Sequence, residues 1–213
     1  MLQVFATISV ALGVLLLVEF LQKQRIIRLE TTRKTIHVVH GLSVAIWPFF
    51  VHWEIIIAVE VLFILLVALA KRYHWFESQH GIDRLSWGEF FFPIGIIAAI
   101  FLEPTRWIFV TAILHLTLAD ALAAMVGKGV KKPHNYMVFG NKKSLEGTLA
   151  FWVTSVLITG AALLIVEPYF PAVGYGLILA VLPIMATLLE NVGVYGSDNL
   201  LVPVFVTALL MQL

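Results

Sequence analysis

Long apolar stretches run through this chain, and each ends at a charged residue, a glycine or a proline. Measured against a membrane-crossing helix of about 20 residues, they predict eight spans, near 2–22, 36–51, 54–70, 90–103, 106–126, 147–166, 172–189 and 199–213. The runs at 36–51 and 90–103 are short for a full crossing and contain Pro48 and Pro93, so they are expected to tilt, break or re-enter. The predicted fold class is therefore all-α, a polytopic integral membrane helical bundle of about 7–8 transmembrane helices. Composition agrees. Hydrophobic residues make up 61% and charged residues 13%, with a mean hydropathy of +0.97, against roughly 45–50% and about 25% in soluble domains. A net charge of +1 offers no electrostatic footprint for nucleic acid. Eight spans consume about 160 residues, so a 213-residue chain has no room for a separate soluble domain and its chemistry sits on the membrane bundle. The absence of cysteine excludes disulfides and thiolate metal sites.

Loop charge gives the orientation. With eight spans, every lysine and arginine except Arg106 falls in an odd-numbered loop. The positive-inside rule then makes those loops cytoplasmic and puts both termini outside. Leu2–Leu21 is span-length with no basic stretch before it, which reads as a span and not a cleavable signal. The chain is expected in a prokaryotic plasma membrane, with residues 1–213 forming one domain and 1–30 its peripheral first span and basic loop. Residues 71–92 mix aromatic and charged side chains, which suits either an interfacial aromatic belt or a path by which a lipid enters.

Four polar clusters interrupt the apolar background, and this topology puts all four at the cytoplasmic face. In Arg33-Lys34-x-x-His37-x-x-x-Gly41, residues 33, 37 and 41 share a helix face, with Gly41 permitting close helix approach. In Asp120-x-x-Ala123-x-x-x-Gly127 a carboxylate sits in an apolar helix, which costs about 2.5–3.5 kcal/mol unless a cation, cavity or water receives it. Its small neighbours open space for a ligand or serve helix packing, and the nearby His115 fits packing and function equally. The stretch Asn141-Lys142-Lys143-Ser144-Leu145-Glu146-Gly147-Thr148 opens the sixth span. Ser144 is placed to cap that helix, so its positive dipole end and two lysines make an anion site. Glu146 either complements the dipole or binds Mg²⁺ beside a polyphosphate. Last, Glu190 and Asn191 precede a glycine-rich turn leading to Asp198 and Asn199, which are metal ligands or a cap for the final span. Glu60 stands alone in the third span, paired with His115 or another buried polar group, or marking a shifted span.

Together, Arg33-Lys34-x-x-His37, Asp120-x-x-Ala123-x-x-x-Gly127, Lys142-Lys143-Ser144-Leu145-Glu146-Gly147 and Asp198-Asn199-Leu200-x-Val202-Pro203 resemble the CTP-dependent polyprenol kinases. That family includes dolichol, phytol and farnesol kinases and a CTP-dependent diacylglycerol kinase. The resemblance runs from about residue 33 to 205. It departs at Lys131, where dolichol-kinase-like members carry a second glycine. It implies transfer of the γ-phosphate of CTP to the hydroxyl of a long-chain lipid alcohol, either an isoprenoid or diacylglycerol, with Mg²⁺ or another divalent cation. On that basis Lys142, Lys143, Ser144, Glu146, Gly147, Gly127, Arg33 and Lys34 are expected to hold nucleotide. Asp120, Glu146, Glu190, Asp198 and Asn199 are expected around metal. Lys142, Asp120 and His37 are the expected catalytic residues, the last two as candidate bases. The expected partners are CTP, the lipid alcohol and the surrounding membrane lipids. The rivals are a cytidylyltransferase that makes a CDP-lipid and a polytopic transporter.

Overall fold

The structure is a computed structural model that describes residues 29–73, 87–165 and 172–212, with Ser9, Gly13, Leu17, Phe20 and Gln24 before them; the side chains of residues 29–33, 70, 172 and 173 are not described. The predicted first span, the basic residues Lys23, Arg25, Arg28 and Arg84, and the Arg33 side chain lie outside the described residues. Seven helices follow in order: α1 (Leu29–Ile46), α2 (Trp53–Tyr73), α3 (Gly88–Ile100), α4 (Arg106–Gly129), α5 (Leu145–Ile165), α6 (Ala172–Val192) and α7 (Asp198–Leu210). A short 3-10 turn, Trp47–Phe49, ends α1 at Pro48, whose missing N–H cannot extend the ladder. Pro93 and Pro203, by contrast, sit inside unbroken helices.

Among the described residues, α2, α4, α5 and α6 are long and apolar enough to cross a membrane. At 13 residues each, α3 and α7 extend about 20 Å, short of a hydrocarbon core of about 30 Å. The architecture is that of an all-α membrane protein with one addition that apolar runs do not announce. Between α4 and α5 lies a hairpin of β1 (Asn135–Val138) and β2 (Asn141–Ser144), antiparallel, pairing Tyr136 with Lys143 and Met137 with Lys142.

Helix α4 is the axis of the bundle. Its Phe109, Ile113 and Leu116 join Val44, Ile56, Phe92 and Ile96 in one core, and its Ile108, Ala112 and Ala119 join Phe151, Leu182 and Val206 in another. The outer helices reverse the soluble pattern, with Leu62, Leu65 and Leu66 of α2 and Leu157 and Leu164 of α5 all turned outward. Lipid is the solvent that suits such faces. Without a hydrophobic drive between helices, close approach comes from small residues. A side chain on Gly95 would overlap the Asn199 carbonyl of α7, and one on Gly147 would lie 2.9 Å from the Ala123 carbonyl of α4.

Glu60, fully buried, accepts from His40 Nε2 at 3.0 and 3.2 Å, not from His115. His40 also stacks on Phe63 with centroids 4.8 Å apart. In the described part of the aromatic stretch, Lys71 meets Glu89 at 2.9 Å and lies 4.8 Å over the Phe90 ring, joining α2 to α3.

Candidate active site

Asp120 follows directly on a π-turn, His115–Ala119, within α4. Such a turn inserts one residue into the ladder, rotating the helix face beyond it by about 100° and leaving main-chain groups for other partners. Both cores supply them. From α1, His37 Nε2 donates to the Leu116 carbonyl at 3.3 Å, and Gly41 is the seat of Thr117. On the α5 side, the Ser155 hydroxyl bonds Nε2 of the fully buried His115 at 2.9 Å, and His115 Nδ1 donates to the Thr111 carbonyl at 2.8 Å. His115 is thus a satisfied histidine joining two helices.

Past the turn, Asp120 meets the end of α6 and the start of α7. One oxygen from each of Asp120, Glu190 and Asp198 lies within 4.8 Å of the others. Gly193 makes this possible, because a Cβ there would lie 2.6 Å from the Asp198 Cβ. The α6–α7 turn is pinned to α3, Trp87 N–H donating to the Tyr195 carbonyl at 2.8 Å and Asn199 Nδ2 to the Gly88 carbonyl at 3.4 Å. Ser197, not Asp198, occupies the cap position of α7, which leaves Asp198 in the first turn. From β2, the Lys143 ammonium donates to the Glu190 carbonyl at 3.0 Å and to the Glu190 carboxylate. At an effective dielectric near 20, two carboxylates this close repel by about 3 kcal/mol. One paired lysine does not offset three of them. Hard oxygen donors so arranged suit Mg²⁺, and they open on a shallow cleft that Asn199 and Phe151 also line.

The phytol kinase of Synechocystis sp. is 32% identical to this chain over 202 residues, which cover 90% of the chain and 82% of that relative. The chain belongs to the polyprenol and phytol kinase family. It is a phosphotransferase acting on a lipid alcohol. No family model matches it, and no solved structure does.

In this lipid-alcohol kinase the remaining expected residues divide between the carboxylate corner and its supports. Ser144 Oγ accepts from Gly147 N–H at 3.2 Å, the cap that starts α5. A Cβ on Gly127 would lie 2.6 Å from Ser144 Oγ, so the space beside that glycine holds the cap and Gly147. Glu146 accepts from His134 Nδ1 at 2.7 Å and from His134 N–H at 3.1 Å, closing the base of the hairpin apart from the other acids. Lys142 is exposed on the hairpin's outer face, opposite its neighbour Lys143. Lys34 adds positive charge near Glu190, and His37 packs against Phe92 with centroids 4.1 Å apart. Sequence reasoning missed Tyr136, whose hydroxyl donates to Asn191 Oδ1 at 2.5 Å and meets Thr148, latching the hairpin to α5 and α6. It also missed His40, although His37-x-x-His40 places two imidazoles on one helix face.

Proposed function

We propose that the protein transfers the γ-phosphate of CTP to the hydroxyl of an isoprenoid alcohol, phytol or a polyprenol, at the cytoplasmic membrane face. The observation that carries this reading is the meeting of Asp120, Glu190 and Asp198 beside Lys143 at one end of apolar helices. Phosphoryl transfer asks a protein mainly for positioning and charge stabilisation. Lys143 and the Ser144-capped start of α5 take the triphosphate, since an ammonium and a helix N-terminus both favour anions; Lys142, which the resemblance assigned to nucleotide, faces the other way on the hairpin. Asp120, Glu190 and Asp198, with Asn199 at the edge, hold a divalent cation, which neutralises phosphate charge when bound. His37 Nε2 carries the proton it donates to the Leu116 carbonyl, so only its Nδ1 is suited to accept one. His37 through Nδ1 and Asp120 are the two candidate bases for the alcohol proton. The tail stays in lipid while the hydroxyl reaches the cleft.

The test is protein in lipid vesicles with Mg²⁺, a panel of alcohols and CTP labelled at either the α or the γ phosphorus. The γ label is expected on phytol or a polyprenol, and Asp120→Asn is expected to lower that transfer by about 100-fold or more while inserting normally. Transfer of the α label would make the protein a cytidylyltransferase. Full activity in Asp120→Asn would remove the carboxylate corner from the mechanism.

A further inference from the structure

The β1–β2 hairpin has two faces of different chemistry. Side chains alternate along a strand, and the paired Tyr136 and Lys143 turn inward to Asn191 and Glu190. Met137 and Lys142, the next pair, turn outward and are exposed. At the tip, Phe139 and Gly140 have φ of +45° and +81°, a two-residue turn that asparagine and glycine fill at low cost. A bulky aromatic in that conformation is strained, and this one is 79% exposed. Local folding gives no reason for it.

The surrounding charge points to a partner. Residues 128–145 contain five lysines and no Asp or Glu, and Lys131 and Lys132 are exposed just before the hairpin. The hairpin joins the C-terminal end of α4 to the N-terminal end of α5, both able to span a membrane, so connectivity puts it at a bilayer surface. The outward apolar side of α4, Leu122, Met125 and Val126, runs up to it. Lysines around an exposed aromatic at that level match an anionic headgroup layer over acyl chains.

We propose that the outer face of the hairpin is a docking surface for anionic phospholipids. Lys131 and Lys132 meet headgroup phosphates, and Phe139 and Met137 enter the acyl boundary. Because the inner face carries Lys143 to Glu190, docking steadies the lysine at the carboxylate corner. The lipid contact stands without the kinase reading; its effect on turnover rests on it.

The chain has no cysteine, so a polarity-sensitive fluorophore on F139C reports from one place. The labelled protein is reconstituted in vesicles of phosphatidylcholine alone and of phosphatidylcholine with about one third phosphatidylglycerol. Expected are a blue shift and quenching by shallow lipid-borne quenchers in the anionic vesicles, both reduced by added salt. Charge reversal in K131E/K132E should abolish them, each lysine being worth about fivefold in local binding. Turnover of K131E/K132E should equal that of the parent in uncharged micelles and lose several-fold stimulation in anionic vesicles. Identical emission in both vesicle types overturns the proposal. So does a shift caused by CTP in neutral vesicles, which would assign the surface to nucleotide. A lipid-dependent shift in protein that phosphorylates no alcohol would keep the surface and sink the kinase reading.

Discussion

Neighbouring residues on a strand point apart, and this separates two lysines that are adjacent in the sequence. Lys143 is tied to Glu190, whose side chain is 8% exposed, whereas Lys142 faces out. Removing one partner of a largely buried ion pair costs more than the pair contributes, because the other charge is stranded. Lys143→Ala is therefore expected to lower thermal stability in detergent by about 1–3 kcal/mol as well as to abolish turnover. Lys142→Ala, on the opposite face, should leave the melting curve unchanged. Adding Glu190→Gln to Lys143→Ala should recover stability but not activity. A Lys142→Ala protein that melts as early as Lys143→Ala would contradict the two-faced hairpin. At this scale the sequence was legible where one residue's chemistry is locally unusual: Asp120 stands out in an apolar helix, and Ser144 before Glu146 and Gly147 marks a helix start. Partners were not legible. Glu60 finds His40 on another helix, a relation set by how α1 lies on α2 and not by spacing along either.

Most helix ends were legible to within a few residues, because apolar run length and proline set them, but the run predicted at 36–51 became Leu29–Ile46, which starts in the polar stretch before it and stops short of Pro48. The predicted 54–70, 106–126 and 147–166 became Trp53–Tyr73, Arg106–Gly129 and Leu145–Ile165. The π-turn has no sequence signature, and the strands, four residues each with two lysines in one, are too short and polar for an alternating pattern to show. The seat of α1 on the π-turn can be tested. An exposed helical Gly→Ala change stabilises by about 1 kcal/mol, but a methyl on Gly41 would overlap Thr117. Gly41→Ala should instead destabilise by about 1–3 kcal/mol, and Thr117→Ala in the same chain should recover most of the loss. Gly41→Ala melting at or above the parent temperature would place α1 elsewhere.

For the whole molecule, the outward leucines of α2 and α5 and the inward polar pairs of α4 define a bundle dissolved in lipid. The orientation expected for it rests on loop charge alone, and single cysteines in this cysteine-free chain test it. In sealed inside-in vesicles, a membrane-impermeant thiol reagent should modify E103C, in the loop between α3 and α4, and spare F139C at the hairpin tip. Equal labelling of both would break the predicted alternation. The axial place of α4 has a consequence for assembly. Its five distorted residues are held from one side by α1 and from the other by α5, and the carboxylate just past them needs α6 and α7 for company. A partly synthesised chain thus carries Asp120 without the two acids that join it, and the three-carboxylate corner closes only once α7 is in place.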